Sequence, residues 1–158
     1  MSHSKSSHPV VLRRIFYIYC IFVLLLLFGR QRMDLQLPYW QQLAANLNLI
    51  PFRSITVYLY LLIRQPQPDL LPYAWINFVG NFLLFLPLGF LLPCLCRWVR
   101  QFWRILLAAL LLLTLMETLQ LFTLLGSFDV DDILLNLIGV SVGYLFFRFA
   151  RRKWNIAL

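Results

Sequence analysis

Residues 117–143 read ETLQLFTLLGSFDVDDILLNLIGVSVG, and the fold turns on this stretch. It holds four of the chain's six acidic residues: Glu117, Asp129, Asp131 and Asp132. Glu117 and Gln120 lie in the apolar run before the acid cluster, and Asn136 lies in the apolar run after it. A polar group held away from water costs several kcal/mol unless it is partnered. The pattern is therefore a helix, an acidic turn and a returning helix, with polar groups carried into both apolar arms. It marks either a site or an internal brace.

Working outward, the rest of the chain is still more apolar. Of 158 residues, 61% are hydrophobic and only 13% charged, against about 25% charged in soluble domains. Apolar runs approach or exceed the roughly 18 residues that mark a membrane-spanning helix. The fold class expected is all-α: a polytopic membrane helical bundle of four transmembrane helices plus a short interfacial or re-entrant segment. The spans fall at about 12–29, 75–95, 105–125 and 132–149, within a membrane domain of residues 10–150. Residues 1–9 read as a disordered tail and 151–158 as a basic cytoplasmic tail. The first span follows basic residues but ends in Gly29-Arg30-Gln31-Arg32 rather than a small-residue cleavage site, so an uncleaved anchor is expected.

The long connection between the first two spans carries SITVYLYLLI, ten apolar-rich residues bounded by Arg53 and Arg64. Ten residues are too few to cross the hydrocarbon, so an interfacial helix fits. Pro66 and Pro68 break the chain before the second span, and Pro87 is expected to kink that span.

The net charge of +8 sits at the ends of apolar runs, which is the pattern of membrane topology and anionic lipid headgroups rather than of a nucleic-acid-binding face. Basic residues crowd the N-terminal tail, the connection between the second and third spans and the C-terminus, and none lies between the third and fourth. Both termini are expected in the cytoplasm, with the acid cluster and Asn48-Leu49-Ile50-Pro51-Phe52 facing outward. Cys20, Cys94 and Cys96 lack zinc-site spacing, and His3 and His8 stand without further ligands. No cofactor is expected.

Helical spacing sorts the intramembrane polar groups. Asn77, Gly80, Asn81 and Leu84 share one face of the second span, Glu117 and Gln120 one face of the third, and Asp132, Asn136, Gly139 and Gly143 one stripe of the fourth. At about 1.5 Å per residue all the polar members fall in the outer half of the bundle. A polar cavity opening to the outer leaflet is expected, with Asn48, Arg53, Asn77, Asn81, Glu117, Gln120, Asp129, Asp132 and Asn136 as candidate residues. Glu117 leads them as candidate acid/base, because an intramembrane carboxylate is a functional candidate by default. Plainer roles stand beside this: Gln120 and Asn136 as braces, Asp129, Asp131 and Asp132 as caps of the fourth helix, and Glu117 paired with Arg53. The acids offer hard oxygen ligands for Mg²⁺ or Ca²⁺, but in no metal-loop spacing. Gly139-x-x-x-Gly143 lets another helix approach closely.

The order and spacing of these pieces resemble the VanZ-like family of small bacterial membrane proteins, named for an accessory teicoplanin-resistance protein. The matching pieces are Asn48-Leu49-Ile50-Pro51-Phe52, Asn77 with Asn81, Phe85-Leu86-Pro87-Leu88-Gly89, Glu117-Thr118-Leu119-Gln120, and Gly126-Ser127-Phe128-Asp129-Val130-Asp131-Asp132 followed by Asn136, Gly139 and Gly143. The resemblance implies a helical protein of the bacterial cytoplasmic membrane, linked to glycopeptide antibiotic response and the cell envelope. Membrane lipids are the expected partners, with a lipid-linked cell-wall precursor a further candidate; nucleic acid is not one, and oligomeric state stays open. Three functions compete. One is an accessory protein binding a lipid-linked envelope component. Another is a membrane enzyme acting on a lipid headgroup or polyprenyl-linked substrate through Glu117. A small transporter ranks last, because a polar cluster in one half of the bundle leaves no continuous path.

Overall fold

A computed structural model describes residues 8–29, 36–64 and 68–154. His3, Lys5, Pro66 and the last four residues lie outside the described residues, with most of the segment read as a disordered tail. Among the described residues seven α-helices follow one another: α1 (His8–Phe28), α2 (Tyr39–Ala45), α3 (Arg53–Ile63), α4 (Leu71–Trp75), α5 (Asn81–Leu95), α6 (Phe102–Thr123) and α7 (Val130–Trp154). Two-residue strands β1 (Leu47–Asn48) and β2 (Phe128–Asp129) pair in parallel. Four helical stretches are long and apolar enough to cross a membrane: Val10–Phe28, Ile76–Leu95, Phe102–Thr123 and Val130–Lys153. The chain is a membrane protein, and α3 is the short apolar helix expected between the first two spans.

The centre is the α5–α7 crossing, and glycine makes it possible. A Cβ on Gly139 would run into the Phe82 carbonyl oxygen, one on Gly143 into that of Leu86, and one on Gly89 into that of Val140. Three contacts of backbone on backbone draw the axes together, as small residues do where lipid removes the hydrophobic drive between helices. Around this seam pack Val23, Phe85, Leu88, Ile105, Ala109, Leu113, Ile133, Val140, Tyr144 and Phe147. Half of the α7 span is buried, a third of the second and third spans, and only 6% of α1. The first helix therefore leans on the bundle from outside, tied by the Tyr19 hydroxyl to the Leu84 carbonyl at 2.8 Å.

The second span starts irregularly. Leu71–Trp75 passes through a π-helical turn, Ile76–Gly80, before α5 begins. The helix then runs on through both Pro87 and Pro93. Each inward stripe also carries its polar residue at the same end. On α6, Ile105, Ala109, Leu113 and Glu117 recur every four residues and are all buried. On α7 the buried row of Ile133, Asn136, Val140 and Tyr144 does the same. Glu117 and Asn136 are thus core positions occupied by polar side chains.

Candidate functional site

The site is built in two layers that meet at Glu117. The upper layer is a clamp between the connection at 46–55 and the turn at 126–131. Parallel pairing sets Leu47 against Phe128 and Asn48 against Asp129, and the Phe128 amide donates to the Asn46 carbonyl at 2.9 Å. Side chains then close the clamp. Asn48 Nδ2 donates to Ser54 Oγ at 3.0 Å and to Asp129 Oδ1 at 3.1 Å, and the Ser54 hydroxyl donates to Asp129 Oδ2 at 2.5 Å. Asp129 Oδ1 also takes the Asp131 amide at 2.8 Å, which caps the start of α7.

Asp131 does something the sequence does not announce. Its carboxylate, fully buried, accepts the amides of Phe52, Ser54 and Ile55 at 2.6, 2.8 and 3.1 Å. It caps α3, whose Ser54 lies 77 residues earlier in the chain, rather than the α7 that carries it. Three amides can converge because Phe52 adopts a left-handed conformation, φ 66°, just before α3. That geometry is unfavourable for a residue with a Cβ, and a buried carboxylate at the positive end of the helix offsets it.

The lower layer is a cavity of about 30 Å³ lined by Leu27, Asn77, Asn81, Phe85, Leu113, Met116, Glu117, Gln120, Asp132 and Asn136. Asn77 sits in the π-helical turn and Asn81 opens α5, so the two amides still stack on one side although the turn between them is wider than an α-helical one. Gln120 donates to the Leu27 carbonyl at 3.1 Å, joining the end of α1 to the cavity rim. Glu117 ties the layers together, since its Oε2 accepts the Asp129 amide at 3.2 Å from above. Asn81 Nδ2 and Asn136 Oδ1 are buried with no hydrogen-bond partner among the described residues. A buried donor and a buried acceptor left open in one cavity call for an occupant, since each orphaned group costs about 1–3 kcal/mol. The space suits about one water-sized group.

The chemistry of the lining is acidic and amidic. Glu117 and Asp132 face the same space, and among the described residues no Lys, Arg or His lines it. Such walls favour hydroxyl, amide or cationic groups over phosphate. Among the described residues no group of three or more His, Cys, Asp or Glu is arranged to hold a metal ion.

Six of the sequence candidates, Asn77, Asn81, Glu117, Gln120, Asp132 and Asn136, line this cavity. Asn48 and Asp129 belong to the clamp above it. Arg53 stands apart: it is the first residue of α3, exposed and not among the cavity-lining residues. The cavity that the six line holds about 30 Å³. Ser54 was not singled out in the sequence, and only its place one residue past Arg53, at the start of an apolar run, could have marked it as a helix-start residue. In comparisons with known proteins, the model of the VanZ/LLP1 family matches residues 14–151. No curated protein and no solved structure matches the chain.

Proposed function

We propose, from the premise that the chain belongs to the VanZ/LLP1 family, that it is an accessory protein of the bacterial cell envelope. In this reading it sits in the cytoplasmic membrane with both termini inside, engages a lipid-linked envelope component at the outer-half cavity, and so alters the response to glycopeptide antibiotics such as teicoplanin. The observation that carries the reading is the pair of orphaned buried atoms, Asn81 Nδ2 and Asn136 Oδ1, facing an acidic cavity. A hydroxyl or amide of a sugar–peptide headgroup satisfies both, donating to Asn136 and accepting from Asn81. The room for it comes from α1, whose contact with the bundle is the slightest of the four spans. In this reading, breaking the hydrogen bond from Gln120 to the Leu27 carbonyl frees the end of α1 to move and admit the headgroup.

The experiment compares lipids copurified with the wild-type chain and with an Asn81→Leu/Asn136→Leu variant, alongside glycopeptide titration of a strain lacking the gene. Loss of a headgroup-bearing lipid from a variant that still folds supports the reading. Unchanged susceptibility together with unchanged envelope lipids in the deletion strain refutes it.

A second reading has its own observation: two carboxylates, Glu117 and Asp132, line one desolvated space, an arrangement suited to general acid–base work on a headgroup or polyprenyl-linked substrate. Turnover of such a lipid by the purified protein, lost in Glu117→Gln, separates the enzyme from the binder.

A further inference from the structure

The opposite end of the bundle carries a hollow of about 900 Å³ between the start of α6 and the last turns of α7. Arg100, Arg148, Arg151 and Arg152 line it, and among the described residues no Asp or Glu does. On α7 the three arginines fall at i, i+3 and i+4, so they point from one face. Arg100 approaches from the other wall, its Nε donating to the Pro93 carbonyl at 3.1 Å. Tyr144 joins the two walls: it donates to the Arg100 carbonyl at 2.6 Å, and its ring lies 5.5 Å from that of Phe102 and 6.0 Å from that of Phe147. The α7 arginines Arg148, Arg151 and Arg152 share one face and repel one another, and an anion among them relieves that repulsion.

We infer that this hollow binds the phosphate headgroup of an anionic phospholipid. Guanidinium matches phosphate in shape, with paired N–H donors facing paired oxygens. The lipid, rather than a free phosphate, follows from where the hollow lies. It straddles the border at which the α6 span begins, at Phe102, and the α7 span ends, at Lys153. Its lining continues from the arginines onto Trp103, Leu145 and Phe149, all exposed on the flank of the bundle. A headgroup held by the arginines has its acyl chains laid against these side chains. Basic pockets between transmembrane helices serve anionic lipids in this way. The inference is independent of the outer cavity.

The test is a titration of the purified full chain in neutral detergent, read by native mass spectrometry, with phosphatidylglycerol, the two-phosphate lipid cardiolipin, phosphatidylcholine and free glycerol phosphate as probes. The variants are Arg148→Gln/Arg151→Gln/Arg152→Gln and, as a control at another basic stretch, Arg13→Gln/Arg14→Gln. The arginines replaced are exposed, and a thermal melt confirms that both variants fold. The expected result is anionic lipid bound about tenfold or more tightly than phosphatidylcholine, with that preference lost in the α7 triple variant and kept in the control. An Arg→Lys triple variant, with charge but no paired donors, should bind between the two. Equal losses in both glutamine variants would reduce the effect to diffuse charge and overturn the site. Glycerol phosphate competing as well as the lipid would overturn the lipid assignment.

Discussion

Removing the Asp131 carboxylate probes how the outer clamp is held. Each hydrogen bond to a charged group contributes about 1.5–3 kcal/mol net, and Asp131 accepts three backbone amides. The contributions do not simply add. Phe52 is exposed and Ser54 and Ile55 are half-buried, so their amides regain some water when the carboxylate goes. Weighing three charged bonds against that recovery, Asp131→Ala should cost about 3–5 kcal/mol. Asp131→Asn, which keeps one acceptor oxygen but loses the charge at the α3 start, should cost about 1–2 kcal/mol. On the scaling of soluble domains of this size the alanine variant melts about 10 °C lower, and the asparagine variant a few degrees lower. The damage should also be local. Hydrogen exchange of the purified protein should accelerate at residues 52–56 and at the start of α7, while amides at the α5–α7 seam stay protected. An alanine variant melting within about 2 °C of wild type, with unchanged exchange at 52–56, would refute the cap.

Other outcomes follow from the same geometry. Gly143→Val places side-chain atoms where the Leu86 carbonyl lies, so it should cost about 3 kcal/mol or more, while Leu145→Val on the exposed flank of the same helix should cost little; detergent melts compare the two. Gln120→Leu frees the Leu27 carbonyl and should lower stability by only about 1 kcal/mol while raising the mobility of a spin label at the end of α1. Topology can be read with the native Cys96, exposed beyond α5: a membrane-impermeant maleimide should spare it in intact cells yet label Ser127→Cys in a Cys96→Ser background. The reverse labelling would invert the proposed orientation.

Much of this was legible in the sequence, and the reasons are specific. The spans declare themselves by length and apolarity, since in lipid only a helix satisfies its own backbone. Asn77 with Asn81, Glu117 with Gln120 and Asp132 with Asn136 are pairs three or four apart within single helices, and the spacing alone places each pair on one face. Gly139 and Gly143 signalled a close crossing but not its partner, which is α5. What stayed hidden depends on chain segments far apart. In the run Asp129-Val130-Asp131-Asp132 the first acid caps its own helix and the third faces the cavity, as expected, but nothing there says that the second caps α3. Local rules assign carboxylates at a helix start to that helix, and here the left-handed turn at Phe52 brings other amides closer. Cavity size was equally out of reach, because it follows from how Leu27, Phe85, Leu113 and Met116 fill the space between helices.

Whether Glu117 serves a site or only a brace decides the functional reading. Glu117→Gln preserves an acceptor for the Asp129 amide and so should leave the melting temperature nearly unchanged, whereas Glu117→Ala removes that acceptor and should cost about 1–3 kcal/mol. The decisive measurement is the lipid content of purified wild-type and Glu117→Gln proteins, with the melt recorded on the same samples. A folded Glu117→Gln protein that has lost a headgroup-bearing lipid retained by the wild type is the predicted result. A Glu117→Gln protein that unfolds, or that folds and keeps the same lipid, would contradict it.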